Sequence, residues 1–344
     1  MKARVTISLL LFVCCSLLIT SAVNGPGKPT YIDLKIPDGW PKPPTNIFAK
    51  NKLSEEGFQL GRKLFYDGRL SKDGNFPCAS CHQQFAAFAN FEHDFSHGFN
   101  NSLTQRNAPP LLNLAWMTEF QWDGGINHIE VQPLTPMTAS NEMAEKIDSI
   151  LIKLRTDTIY LRMFKAAFGT TEINSQRMLK ALAQFTGSIV SADSKYDKVK
   201  RGERVFTATE LNGYNTFKAK CGRCHREPLF TDNSFRNNGL ALNTLLNDYG
   251  RMKITRDKND SLKFKVPTLR NIALTYPYMH DGRFFTIGQV IDHYRTGIHT
   301  DQQNLDSSLN KRLPMTNIEK SNLTYFLITL TDSSLVRNPR FAER

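Results

Sequence analysis

The sequence predicts a mainly α-helical protein of two haem-carrying domains, and three observations lead there. The pentapeptide Cys-x-x-Cys-His occurs twice, as Cys78-Ala79-Ser80-Cys81-His82 and as Cys221-Gly222-Arg223-Cys224-His225. Helical periodicity precedes or follows each copy, and no convincing alternating β pattern extends beyond short stretches. The length of 344 residues suits two domains of about 150 residues each, one per motif.

The pentapeptide carries its chemistry in its spacing. Two thiols three positions apart can each add to a vinyl group of one haem, and the adjacent His turns its imidazole onto the iron. With 6 Cys and 8 His in the chain, chance yields such a string only about 0.002 times. A four-Cys zinc ribbon needs its pairs about 15–20 residues apart, whereas Cys81 and Cys221 lie far apart in sequence. A thioredoxin-like centre would need a surrounding βαβ pattern, which neither segment has. Cys78, Cys81 and His82 are therefore assigned to one covalent haem c, and Cys221, Cys224 and His225 to a second. Both His are proximal iron ligands in this reading.

Residues 1–22 follow signal-peptide grammar: Lys2 and Arg4, an apolar run from Val5 to Ile19, then Thr20-Ser21-Ala22. This predicts export to the periplasm. The remaining cysteines, Cys14 and Cys15, fall inside that segment, so no structural disulfide is expected. A lipid anchor at either is disfavoured by the residues before them, Val13 and Cys14. No other stretch reaches the roughly 18 apolar residues of a membrane helix. The net charge of +12 comes from scattered basic residues, densest from Lys198 to Arg204, which reads as a solvated surface and gives no support for nucleic-acid binding.

The elements follow in order. Residues 23–50 form an extended, Pro- and Gly-rich lead-in. A domain over 51–195 opens with a helix from Ser54 to Tyr66, capped by Ser54. Helices over Ser140–Phe168 and Ser175–Val190 follow, broken around Gly169-Thr170-Thr171. A second domain, 196–344, opens with a helix from Thr209 to Lys220 that delivers Cys221. Helices over Thr286–Arg295 and Thr316–Thr331 complete it, the last with a Thr316/Glu319 capping box.

Beyond these patterns the chain resembles bacterial di-haem cytochrome c peroxidases from about residue 50 to 335. The resemblance rests on Leu60-Gly61-Arg62-Lys63-Leu64-Phe65-Tyr66-Asp67-Gly68-Arg69-Leu70-Ser71, Arg106-Asn107-Ala108-Pro109, Trp122-Asp123-Gly124, Glu142-Met143, Asp248-Tyr249-Gly250-Arg251, Phe264 to Asn271 and Tyr276-Pro277-Tyr278-Met279-His280-Asp281-Gly282. It implies two cytochrome-c-like domains: a peroxidatic N-terminal haem that meets hydrogen peroxide and an electron-transfer C-terminal haem. Phe99 stands where many members place a regulatory His, so the first haem is expected to be open on its outer face. His93 and His97 are the nearby alternatives as ligands.

The resemblance makes Glu142 the distal acid, Gln132 its hydrogen-bonding companion, Pro136 a shaper of access and Trp122 a relay between the haems. Read without it, Glu142 is a helix-start acid favoured by the dipole and Trp122 a core residue. Gly125 replaces the Arg common after Trp-Asp-Gly. At the second haem the register of a Met ligand is filled by Tyr294, similar to the tyrosine-ligated branch of the family that includes MauG, which matures a tryptophan-derived quinone. An anionic oxygen stabilises ferric and higher iron, whereas a thioether favours the ferrous state. His293 and Met279 are the alternative ligands, and His280 is a candidate for a haem propionate or the domain interface. A calcium ion between the domains is also implied, held by the Asn107 side chain and the Thr275 and Pro277 carbonyls.

Three functions compete: a peroxidase fed by a small c-type cytochrome or cupredoxin, an oxidase of a protein substrate, and an electron carrier. Glu142 and Gln132 disfavour the last, which needs no acid. A homodimer is compatible with the resemblance.

Overall fold

The computed structural model describes residues 28–343; the segment expected to be a signal peptide, with Cys14 and Cys15, lies outside the described residues. The helices are α1 (Glu55–Phe65), α2 (Cys78–Cys81), α3 (Leu134–Thr138), α4 (Ile147–Arg155), α5 (Thr158–Phe168), α6 (Ser175–Gly187), α7 (Lys195–Lys200), α8 (Ala208–Lys220), α9 (Met252–Thr255), α10 (Ile287–Asp292), α11 (Asn317–Ile328) and α12 (Ser333–Val336). Among the described residues the strands are β1 (Phe235–Arg236) and β2 (Phe264–Lys265), antiparallel with Phe235 opposite Lys265. The protein is mainly α, as the periodicity predicts.

Local chemistry sets most helix ends. The Ser54 side chain accepts from the Gly57 N–H and starts α1, and Thr316 with Glu319 forms the expected capping box of α11. A second box, Thr207 with Glu210, starts α8. Gly169, in the left-handed region at φ 75°, stops α5. The single helix expected over Ser140–Phe168 is instead two: Thr156 ends α4, and Asp157 caps α5 by accepting from Ile159. Residues 140–146 lie outside the helix. The helix expected to reach Arg295 ends at Asp292 and passes into one π-helical turn, His293–Gly297.

Each half is built on one crossed helix pair, α1 with α6 and α8 with α11, and each crossing is made at a glycine. A Cβ on Gly61 would stand 1.9 Å from the Ala181 carbonyl oxygen, and one on Gly213 would stand 2.0 Å from that of Asn322. Phe185 and Phe326 lie beside the two glycines. The backbones approach so closely that no side chain fits between them.

Two apolar clusters result. One runs from Phe58 to Ile189 and takes in Leu335 and Phe341 from the end of the chain; the other runs from Tyr196 to Leu330. The lead-in is packed against both halves. Trp40 meets Trp116 edge-on at 5.1 Å, and the Arg270 guanidinium lies 4.5 Å from the Trp40 ring.

The halves also share a sequence register that the backbone makes visible. At one constant separation Pro109 corresponds to Pro267, Asn113 to Asn271, Phe120 to Tyr278, Trp122 to His280 and Gly124 to Gly282. Asn113 and Asn271 are both left-handed, at φ 55° and 59°, as are Gly124 and Gly282 at 70° and 68°. Phe120 bridges Ile126 just as Tyr278 bridges Phe284. In this register Pro136 corresponds to Tyr294.

Candidate active site

The two Cys-x-x-Cys-His segments are presented differently but finished alike. The first is a four-residue helical turn entered from Pro77; the second emerges from α8, with Cys221 as its C-cap. All four cysteines are free thiols. Burial pushes Cys78 and Cys221 each up to about 12. Such thiols ionise poorly, which disfavours a thioredoxin-like redox centre at either motif.

His82 Nδ1 faces the Phe88 carbonyl at 3.0 Å, and His225 Nδ1 faces those of Phe230 and Pro267, each at 3.1 Å. Phe88 and Phe230 are fully buried and left-handed, at φ 59° and 55°, which turns each carbonyl towards its imidazole. A ring nitrogen facing a carbonyl carries the proton, so the Nε2 lone pair of each His is free for a metal. Burial lowers both imidazoles, His82 to about 4, keeping them neutral. Thiols, neutral imidazoles and apolar walls together fit a covalently held haem in each half.

A cavity of ≈ 720 Å³ opens beside Cys81 and His82 and is lined by Trp122, Gln132, Pro136, Glu142, Lys265 and Pro267 among others. It lies within the size range of cofactor sites. Segment 140–144, which is a loop where a helix was expected, brings Glu142 to the cavity. Among the described residues nothing hydrogen-bonds the Glu142 carboxyl, and burial alone pushes it above the ordinary carboxylate range. A second, small cavity shares Cys81, His82, Gln132, Pro136 and Glu142 with the first and adds Cys78. The distal candidates named from sequence thus stand together.

Phe99 is anchored by its N–H on the Glu142 carbonyl at 2.7 Å, and its ring lies 4.6 Å from the Lys72 ammonium. His93 and His97 are exposed, their rings edge to face at 5.6 Å, and His97 Nδ1 faces Asn101 Oδ1 at 2.7 Å. The Trp122 indole N–H donates to the Asn107 carbonyl at 2.8 Å, while its own carbonyl accepts from Lys265 of β2. Trp122 is therefore held by both halves.

At the second motif Tyr294 is half-buried close to Cys221 and Cys224, and desolvation pushes its phenol up to about 12. The Asn238 amide lies 3.5 Å from its hydroxyl and 3.6 Å from the Met279 sulfur. His293 turns elsewhere, with Nε2 facing the Asn238 carbonyl at 3.1 Å. His280 stacks on Phe264 at 3.7 Å. Asn107 N–H donates to the His280 carbonyl at 2.8 Å, and its side-chain amide donates to the His93 and Asp94 carbonyls. This leaves the Asn107 side-chain oxygen without a hydrogen bond among the described residues, beside the segment that carries Thr275 and Pro277.

Sequence reasoning missed four features. Lys265 is buried in the cavity wall, donating to the Glu119 carbonyl at 2.8 Å, and burial lowers its ammonium to about 8. Asn238 lies in no string that singles it out. Arg106 joins Asp248 (2.6 and 2.8 Å) and Asp123 (2.6 Å) across the halves; opposite charges within three of the family strings were the available signal. Arg251, which donates to the Asp123 carbonyl and Glu119, lies against Gly124, placing a guanidinium beside the position where Gly125 lacks one.

Fold and site define a di-haem c-type cytochrome enzyme. The family profile for di-haem cytochrome c peroxidase matches residues 55–205. The chain is 36% identical to the methylamine utilization protein MauG of Methylorubrum extorquens, covering 81% of this chain and 79% of that protein. It is 35% identical to the cytochrome c551 peroxidase of Nitrosomonas europaea over 68% of this chain and 71% of that one. A solved MauG-like protein associated with microbial copper homeostasis superposes with a TM-score of 0.84 at 34% identity, covering 90% of this chain and 99% of that one. The chain belongs to the di-haem cytochrome c peroxidase and MauG family; it is an oxidoreductase, and membership implies two haems c. No helix among the described residues is long and apolar enough to cross a membrane.

Proposed function

We infer that the protein is a periplasmic peroxidase that reduces hydrogen peroxide to water with electrons from a small c-type cytochrome or cupredoxin, using an open N-terminal haem and a C-terminal electron-transfer haem. The observation that carries this reading is the Glu142 carboxyl, half-buried and without a hydrogen bond among the described residues, in the cavity beside His82. When bound, the haems supply an iron that accepts peroxide and the redox equivalents for its reduction.

The chain's residues do the rest. Cleaving the O–O bond needs a proton moved from one peroxide oxygen to the other, and a carboxyl raised by burial is suited to take and return it near neutral pH. The Gln132 amide orients the peroxide, and Pro136, offering neither donor nor acceptor there, leaves room for it. Phe99 cannot ligate iron, and its ring lies near the Lys72 ammonium. Trp122 spans the gap: its cavity also contains Pro267, whose carbonyl faces His225.

Tyr294 as the outer ligand of the second haem is supported by its burial beside Cys221 and Cys224 and by the engagement of His293 with Asn238. Its correspondence with Pro136 adds to this, since both would then face the outer side of a haem. A calcium ion is supported by the Asn107 side-chain oxygen, the type of donor that hard ion takes. Tyr294 also favours a second reading, in which peroxide drives oxidation of a protein substrate in the manner of MauG.

The test mixes fully oxidised protein with hydrogen peroxide and a reduced small c-type cytochrome, with no prior reduction. Sustained cytochrome oxidation is expected. Haem oxidation without donor turnover would instead select the protein-modifying reading. An oxidised spectrum with two low-spin irons and no high-spin component would overturn the open first haem.

A further inference from the structure

Beyond the two haem sites, two phenols converge on one carboxylate that the mechanism does not use. Tyr196 of α7 is fully buried. Its ring lies 4.8 Å from that of Phe230, the residue whose carbonyl receives the His225 imidazole. The Tyr196 hydroxyl donates to Glu227 Oε1. Tyr214 of α8 donates to the same carboxylate at 2.9 and 3.1 Å. Its ring is 6.3 Å from that of Tyr196 and half-buried. The pair leads from the His225 side of the second haem to solvent. Core packing accounts for the Tyr196 ring but not for two phenols on one base.

We propose that Tyr196 and Tyr214 form a proton-coupled relay that carries oxidising equivalents from the second haem to the surface, with Glu227 as proton acceptor. The proposal rests on the reading of the protein as peroxide-using, since peroxide supplies the oxidant. In the first step Tyr196 gives one electron to the oxidised second haem, and its O–H bond breaks as the proton passes to the Glu227 carboxylate. In the second, Tyr214 gives an electron to Tyr196 and its phenolic proton to Glu227, while Glu227 returns the first proton to Tyr196. One equivalent has left the haem, Tyr214 is a neutral radical, and Glu227 holds one proton. A one-electron reductant in solution, such as ascorbate, then refills Tyr214.

The surroundings require this coupling. Lys200 donates to the Tyr214 hydroxyl at 3.1 Å, lies 3.7 Å from the Glu227 carboxylate and stands 5.6 Å from the Tyr196 ring and 5.4 Å from the Tyr214 ring; Lys218 is 4.6 Å from the Tyr214 ring, and Arg270 is 6.0 Å from that of Tyr196. Cations over a ring oppose a radical cation, so oxidation proceeds only if the proton leaves as well. A control is built into the first half. Tyr160 donates to Asp67 at 2.6 Å, but Asp67 also takes hydrogen bonds from Arg69 at 2.6, 3.0 and 3.1 Å, a closer engagement than the 3.7 Å contact of Glu227 with Lys200.

The experiment freezes holoprotein after peroxide addition and records electron paramagnetic resonance with ordinary and ring-deuterated tyrosine, the haem absorption being followed in parallel. A radical signal narrowed by deuteration is expected. It should be lost in Tyr196→Phe and Glu227→Gln, survive but resist ascorbate in Tyr214→Phe, and be unchanged in Tyr160→Phe. These substitutions keep ring volume or hydrogen bonding, and wild-type haem absorbance before peroxide establishes that each variant is folded. A normal haem response with no tyrosine radical, or a radical that survives Tyr196→Phe, overturns the relay and leaves the proposed function standing. No haem response to peroxide overturns both.

Discussion

The two halves hold their haem motifs with the same device and differ on the opposite face. Phe88 and Phe230, both buried and left-handed, aim a carbonyl at His82 and His225. Facing the first motif are Pro136, Gln132 and an unpaired Glu142 around a cavity. At the position corresponding to Pro136, the second half has Tyr294, half-buried near Cys221 and Cys224. One repeated scaffold thus carries two different outer faces, because the inner face is fixed by backbone and the outer face by a few side chains. Leu112 and Arg270 also correspond, and both are fully buried. The second half has replaced an apolar contact with an ion pair.

Glu142→Gln tests that difference most severely. It keeps the side chain's size but removes the base, so peroxide turnover should fall about 10²–10⁴-fold while both haem spectra are retained; an unchanged rate would leave Glu142 without a catalytic role. In the wild type the rate should fall as the pH drops and Glu142 becomes protonated. Since burial raises this carboxyl, the acid limb should lie above the ordinary carboxylate range, and a pH–rate profile locates it.

Arg270→Leu imposes the first half's solution on the second. Arg270 binds Asp197 through two bonds at 2.9 and 2.8 Å and donates to the Pro228 carbonyl at 2.8 Å. Removing one partner of a buried pair should cost about 3–5 kcal/mol, measured by denaturant unfolding. The pH dependence has a definite sign. Burial pushes Asp197 up, but Arg270 and Ser194 outweigh it and hold it below its usual value. Its contribution is therefore present above the ordinary carboxylate range and lost as the pH falls through the depressed value. Arg270→Leu should flatten that acid-side loss.

Gly61→Ala and Gly213→Ala compare the two crossings directly. Each Cβ meets a backbone carbonyl that cannot swing away, so each should cost about 1–3 kcal/mol or more by thermal or chemical unfolding. Equal losses would establish equivalent crossings. The smallest change in stability is expected for Tyr294→Phe, which removes one hydroxyl and should alter the spectrum and potential of the second haem alone. A change in the first haem's spectrum would contradict the separation of the two outer faces.

Much of this was legible in the sequence because it is local chemistry. Cys-x-x-Cys-His places two thiols and an imidazole within one helical turn, and Ser54, Thr316 with Glu319, and Gly169 set helix ends through contacts within a few residues. The break between α4 and α5 escaped because Asp157 looks like any helical surface residue until its carboxylate caps Ile159. Glu142, Gln132, Trp122 and Tyr294 were identifiable by resemblance. Composition alone could not separate a half-buried, unpaired Glu142 from a solvated one.

What the sequence by itself determined is the helical class, the two attachment motifs and the spacing that assigns one to each half. Only the tertiary structure decided how the outer faces differ. It turned Phe99 to Lys72, left Glu142 unpaired in the cavity, engaged His293 with Asn238, and joined Arg106 to Asp123 and Asp248. The physical reason is range. A motif or cap is satisfied within one turn of chain, whereas burial, the loss of a partner, or an ion pair across the halves depends on residues many positions apart that only the folded chain brings together.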